Sequence, residues 1–238
     1  MTLEKKPVFN QRELYDPSLS IINSVPQLIA YADSVAYKHQ LRTGTLQYAE
    51  LVSFIIRRRF YHGFSNYTLN QNWIAATAQY FFGMGLACPV NPDEILQYPC
   101  AGCSQQAIVL MEAMKRKSIS YRSVGFPHHY ATELSFNNSW YFFDPDMEPS
   151  IPESDRIETS WNASSDSLKK YYVLDSRKLL DWGFGKSLKV KVGDTNAAPA
   201  PRAYFFQLVT KYLSRISWLF PLIFFYQQKR NNSKIQEG

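Results

Sequence analysis

AGCSQQAIVLMEAMKRKSISYRSVGFPHHYATELSFNNSWYFFDPD, residues 101–146, is the stretch on which the fold turns. Its first part carries Cys103, Ala107, Leu110, Met111 and Met114 at the spacing of a helix that lays one apolar stripe on a core. The second part changes period. Ser120–Phe126, His129–Phe136 and Ser139–Asp144 are short runs rich in Tyr, Val, Phe and Trp, and Asn137-Asn138 has the composition of a two-residue hairpin turn. A helix followed by antiparallel strands predicts an α+β fold.

Upstream, apolar residues at helical spacing mark segments near 20–39, 45–61 and 70–82, the last with Asn70 as N-cap and Gly83 as its stop. The N-terminal half is therefore expected to be helical and to pack on the small sheet. Pro89, Pro92 and Pro99 make a turn before Cys103. Arg57, Arg58 and Arg59 are expected to be a solvated helix face without a functional role. Downstream, the polar stretch to about residue 165 is expected as loop, 167–181 as a short helix and Val192–Arg202 as an Ala/Pro linker. The resulting organisation is one domain over 1–190 with its core at about 97–146, a linker over 191–202, and an apolar helix with a basic tail over 203–238.

The 238 residues, 45% of them hydrophobic and 16% aromatic, suffice to bury one sizeable core. The net charge of +6 is concentrated: residues 202–238 hold six Lys or Arg and one Glu, a local +5 that leaves about +1 for the rest. Basicity confined to a tail is no footprint of a nucleic-acid-binding domain, and no nucleic-acid partner is expected. The first twenty residues, MTLEKKPVFNQRELYDPSLS, hold no apolar run suited to a signal-peptide core, so a reducing, cytoplasmic setting is expected. Three cysteines, Cys88, Cys100 and Cys103, are a poor disulfide framework.

Cys103 opens the predicted helix. A thiol attacks as its thiolate, which the unpaired N–H groups and partial positive charge of a helix N-terminus stabilise. Gly102 leaves room for a substrate beside the backbone, and the Cys103 N–H is placed to donate to a developing oxyanion. A base and an orienting acid come from the hairpin. With a two-residue turn, Phe136 pairs with Ser139 and Ala131 falls opposite Asp144, so His129 is the diagonal neighbour of Asp144 on one sheet face, about 7–8 Å away. A three-residue turn would put the two on opposite faces.

The segment resembles the core of the transglutaminase-like branch of papain-type cysteine enzymes. In that family a Gly-x-Cys-type motif opens a helix, a His begins a strand and precedes a Glu by four residues, and a Trp-bearing strand ends in Asp-Pro. The matching residues are Gly102 and Cys103, His129 and Glu133, and Trp140, Asp144 and Pro145. The likeness covers about a fifth of the chain, and its specificity lies in the combination. It implies a papain-like core and a catalytic set of Cys103, His129 and Asp144: Cys103 attacks an amide carbonyl of a peptide or protein substrate, His129 moves the proton and Asp144 fixes the imidazole tautomer. Hydrolysis is favoured over amine transfer as the fate of the thioester. By the same likeness Gln97, six residues before the cysteine, is the candidate second oxyanion donor, and no cofactor or metal is expected.

Other readings stand beside this one. A non-catalytic binding or scaffold module would keep the fold, although loss of one member of the set is the usual mark of such decay. Cys100 and Cys103 form a Cys-x-x-Cys, which reads as a redox pair, or with Cys88 and a histidine as a zinc site. Helices before it and antiparallel strands after it are not a thioredoxin-like setting. His128 and Asp146 are the near alternatives to His129 and Asp144, and Gln105 and Gln106 either cap the helix or line a cleft. Glu133 is either a secondary acid or a cross-strand partner of the kind Arg122 offers. Trp140 is expected in the core, and His39 and His62 as ordinary helix residues.

Ala203–Tyr226 is about 24 residues, long enough as a helix to cross a bilayer at roughly 36 Å. Gln207, Lys211, Ser214 and Arg215 interrupt it on one stripe, which fits a helix lying in the membrane interface. With basic flanks at Arg202, Lys229 and Arg230, residues 203–230 are expected to associate with a membrane surface while the body faces the cytoplasm.

Overall fold

Capping residues set where the helices start. The computed structural model describes residues 7–11, 13–83, 85–147, 150–163, 166–172, 177–185, 190–217, 219, 221 and 225–226. Helix α1 (Val25–Lys38) carries a proline in its first turn, and α2 (Leu46–Arg59) begins where Thr45 Oγ1 accepts the Tyr48 N–H at 3.3 Å. Strand β1 (Tyr61–His62) and helix α3 (Leu69–Phe82) follow, then a single helical turn α4 (Pro92–Ile95), capped by the Asn91 side chain, and β2 (Cys100–Ala101). Helix α5 (Cys103–Arg116) leads into β3 (Tyr121–Gly125), β4 (Tyr130–Phe136) and β5 (Ser139–Phe143). The chain is a mixed α+β protein.

The elements fall into two compact units, one formed by Pro7–Ser65 and Val90–Pro199 and the other by Asn66–Pro89 with the chain from Ala200 onward. In the first, an antiparallel sheet has the order β5-β4-β3-β6, with β6 (Lys191–Val192) on the edge beside β3. The hairpin register is the two-residue one: Phe136 pairs with Ser139, and Asn137 and Asn138 take φ of 49° and 61°. Those left-handed values match the strand twist, and Asn tolerates them better than most residues.

Both sheet faces are covered. On one, α1, α2 and α5 bury Leu28, Val52, Ile56, Leu110 and Met114 against Tyr121, Leu134 and Phe143. On the other, short helices α6 (Glu153–Arg156), α7 (Glu158–Trp161), α8 (Asp166–Lys169) and α9 (Arg177–Phe184) surround Val124, Ala131 and Phe142, with Trp161 fully buried. Hence the polar stretch before 165 is not all loop. Trp161 is an apolar anchor, and burying such a side chain is worth about 1.5–3 kcal/mol, enough to fold the flanking turns onto the sheet. Residues 173–176, inside the expected helix 167–181, lie outside the described residues, with α8 and α9 on either side.

Two other expectations change. Arg59 is not solvated: it is buried at the end of α2, where Nε donates to Ile22 O at 2.9 Å, Nη1 to Tyr98 O at 3.0 Å and Nη2 to Leu96 O at 2.6 Å. The stretch that reads as an Ala/Pro linker starts with β6, and its Asn196 side chain accepts the Tyr121 N–H at 3.0 Å.

The second unit pairs α3 with α10 (Pro201–Ile216). Thr68, not Asn70, caps α3, and Gly83 ends it at φ 69° as expected. Asn72 breaks the helical dihedrals at φ −158° and ψ 82°; its Oδ1 accepts the Ala75 N–H at 3.1 Å, so the helix restarts there. Helix α10 runs to Ile216 with Ser217 as its cap, and residues 219, 221, 225 and 226 are again helical, while residues 218, 220, 222–224 and those beyond 226, Lys229 and Arg230 included, lie outside the described residues. Among the described residues, no helix is long and apolar enough to cross a membrane.

Candidate active site

The site is built on the first turn of α5. A short parallel ladder, Tyr61 with Cys100 and His62 with Ala101, lays the chain after α2 alongside the residues entering that helix. Gln105, fully buried in the first turn, locks the two together. Its Oε1 accepts the Gly102 N–H at 3.2 Å and the Ser65 N–H at 3.1 Å, and its Nε2 donates to Ser65 Oγ at 2.9 Å. Gly102 is required by what covers it: a Cβ there would come within 2.6 Å of the Phe64 ring. Cys103 is half-buried, and as the first helical residue its N–H has no acceptor within the helix.

The hairpin delivers the other two residues. His129 lies just before β4 and Asp144 just after β5, on the register that makes them diagonal neighbours, and His129 Nε2 donates to Asp144 Oδ2 at 2.5 Å. Both are buried. The Asp144 carboxylate also accepts the Tyr172 hydroxyl at 2.7 Å on Oδ2 and the N–H groups of Asp146 and Met147 on Oδ1 at 3.1 and 3.3 Å. Burial opposes its charge, but His129, Tyr172 and the Asp146 N–H outweigh burial and hold it below the ordinary carboxylate range.

For His129, burial likewise disfavours the cation. The Asp144 charge and hydrogen bond, together with a hydrogen bond to the Cys103 thiol, win and hold the imidazole pKa well above 6.5. Phe126 and Phe184 flank the ring at 6.2 and 5.0 Å between centroids, keeping water from it. With Nε2 committed to Asp144, Nδ1 is left for the sulfur.

A second acid joins the cluster. Ligand-type atoms of Cys103, His129 and Asp146 all lie within 4.8 Å of one another. The Asp146 side chain is 1% exposed; it accepts from Gln106 Nε2 at 2.7 Å and lies 3.0 Å from His62 Nδ1. The bond to Asp146 is the main cause that raises the His62 pKa. The grouping could hold a metal ion, but it contains neither Cys88 nor Cys100, so the Cys-x-x-Cys zinc set is not assembled among the described residues. All three cysteines are free thiols.

Compared with family models, curated proteins and solved structures, the chain has no match.

The remaining sequence candidates sort by place. Gln97 has an exposed side chain just beyond α4, and its backbone N–H donates to Glu94 O. His128 stacks on Trp182 at 4.4 Å, away from the Asp144 bond. Glu133 is a buried structural acid, held by Arg122 Nε at 2.7 Å and Trp161 Nε1 at 3.0 Å; burial raises its pKa against those partners. Trp140 is half-buried under the Arg122 guanidinium, 4.3 Å from the ring centroid, instead of in the core. His39 caps α1. His62 is not a helix residue but a strand residue beside the site. Sequence reasoning missed His62, Phe64 and Tyr172. The first two arrive through a two-residue ladder, and Tyr172 sits between short helices, so no periodicity marks them.

Proposed function

We propose that this chain is a thiol enzyme of the transglutaminase-like, papain-type class, acting on an amide bond of a peptide or protein substrate. One observation carries the reading: His129 is bonded to Asp144 through Nε2 while the Cys103 thiol, on the first turn of a helix, shares its other side. A buried imidazole held this way keeps one tautomer and one aim. Helix α5 packed across β3 and β4 is also the relation of helix to sheet that a papain-like core requires.

In the proposed step the Cys103 sulfur attacks the amide carbonyl carbon, a C–S bond forms, and charge moves to the carbonyl oxygen near the Cys103 N–H. The C–N bond then breaks, and the leaving nitrogen takes the proton held at His129 Nδ1. Water or an amine attacks the thioester, returns a proton to His129 and frees the sulfur. Hydrolysis is preferred as the outcome.

The test is alkylation by iodoacetamide followed across pH, with Cys103→Ala, His129→Ala and Asp144→Asn beside the wild type. Labelling should be confined to Cys103 and slow about 100-fold or more in His129→Ala, since a positioned base contributes about 10²–10⁴. Hydroxylamine should trap the acyl group of a cleaved peptide only in chains that keep Cys103. Labelling that ignores His129 would remove catalysis and leave a binding module.

A further inference from the structure

The unit formed by α3 and α10 has its polarity reversed. Where the helices meet, Asn72 Nδ2 donates to Thr210 Oγ1 at 2.9 Å, Ser214 Oγ donates to Asn72 Oδ1 at 3.1 Å, and Gln207 Nε2 donates to Cys88 O at 2.6 Å. Ala75 and Ala76 complete a seam of small and polar residues. The apolar residues point outward: Tyr80, Phe81 and Phe82 on α3 and Phe205, Leu208, Tyr212 and Ile216 on α10 are all exposed, Phe81 and Phe82 by 71% and 72%.

Helices that pack in water do the opposite, burying the apolar stripe and exposing the polar one. Small residues and hydrogen-bonding side chains at the seam, with apolar residues outside, are the arrangement of helices that associate in lipid, where the surroundings are as apolar as leucine. Charge agrees. Residues 66–89 contain no charged side chain, and residues 200–226 contain only Arg202, Lys211 and Arg215, all basic. Lys211 and Arg215 follow Gln207 at four-residue spacing and border the apolar face, suiting an anionic headgroup layer.

We propose that α3 and α10 together form a membrane-seated helix pair whose aromatic outer face inserts into the headgroup and acyl boundary of an anionic bilayer. Among the described residues no helix is long and apolar enough to cross a membrane, and Lys211 and Arg215 beside the apolar face suit a pair that lies in the interface. Helix α3, far from the C-terminal segment in sequence, is thus half of the lipid anchor. This inference does not rest on the proposed chemistry at Cys103.

The test is co-sedimentation of the full chain with phosphatidylcholine vesicles, with and without phosphatidylglycerol. The wild type should bind the anionic vesicles more tightly. Replacing Phe81 and Phe82 together by Ser, and separately Phe205 and Tyr212, should each weaken binding about tenfold, the effect of ~1.4 kcal/mol of lost insertion. These side chains are exposed, so circular dichroism and Cys103 alkylation should stay as in the wild type. Vesicle binding indifferent to the α3 pair, or a dimer in solution that the α3 substitutions dissociate, would overturn the proposal; the second result would assign the face to another copy of the chain.

Discussion

His129 and Asp144 illustrate how two buried ionisable groups make each other's charge tolerable. Their contact is one interaction seen from two sides, so its stabilisation counts once. The folded pKa of His129 is raised well above 6.5, so the stability it lends is fully present below that value and is lost as pH rises through the folded pKa. Asp144 is depressed below 3.8, so on the acid side the stability is present above that value and is lost as pH falls through its folded pKa. The pair is intact between these limits. Asp144→Asn should therefore destabilise most between about pH 4 and 6.5, by ~3–5 kcal/mol, the usual cost of removing one partner of a buried pair. The deficit should shrink as the solution becomes alkaline. Urea unfolding of both proteins across pH measures it, and a deficit that stays constant with pH would mean that His129 is neutral in the folded state.

At the scale of elements, the site depends on how α2 hands the chain to β1 and how α4 hands it to β2. Arg59 controls both hand-overs, because its guanidinium binds carbonyls of Ile22, Leu96 and Tyr98 while burial lowers its pKa. The ladder that brings His62 to Asp146 starts two residues later. Arg59→Ala strands those carbonyls in the interior, and at ~1–3 kcal/mol for each unsatisfied buried group the loss should exceed about 3 kcal/mol. Arg59→Lys, which keeps the charge but cannot reach all three acceptors, should recover only part of it. Thermal unfolding ranks the three proteins; equal melting temperatures for Lys and Arg would show that charge alone, not the fork of donors, holds the turn. Nothing in the local sequence distinguishes Arg59 from Arg57 and Arg58, since what separates them is the position at which α2 ends.

Across the whole molecule, the sequence was legible wherever spacing along the chain decides structure. The α5 stripe, the Asn137-Asn138 turn and the register that joins His129 to Asp144 depend on neighbours within a few dozen residues, and period and turn chemistry encode them. His62, Phe64 and Tyr172 reach the site over longer loops, and the buried polar seam of α10 reads in isolation like the wet side of an amphipathic helix. Only a partner with its own polar seam, centred on Asn72, reverses that reading. The cysteines carry the same contrast between local pattern and tertiary place. Cys100 and Cys103 have redox spacing, yet Cys100 is buried with its thiol pKa pushed up by burial, and Cys103 is half-buried against His129. Burial of one thiol and the hydrogen bond of the other to His129 predict unequal reactivity in a chain without disulfides. Titration with a chromogenic disulfide reagent, with no reductant present, should find three thiols in denaturant. In the native chain Cys103 should react first and Cys100 last, and Cys103→Ala should delete the fast phase alone. One reactive thiol in denaturant would instead reveal a Cys100–Cys103 disulfide and favour redox chemistry over the proposed thiol attack.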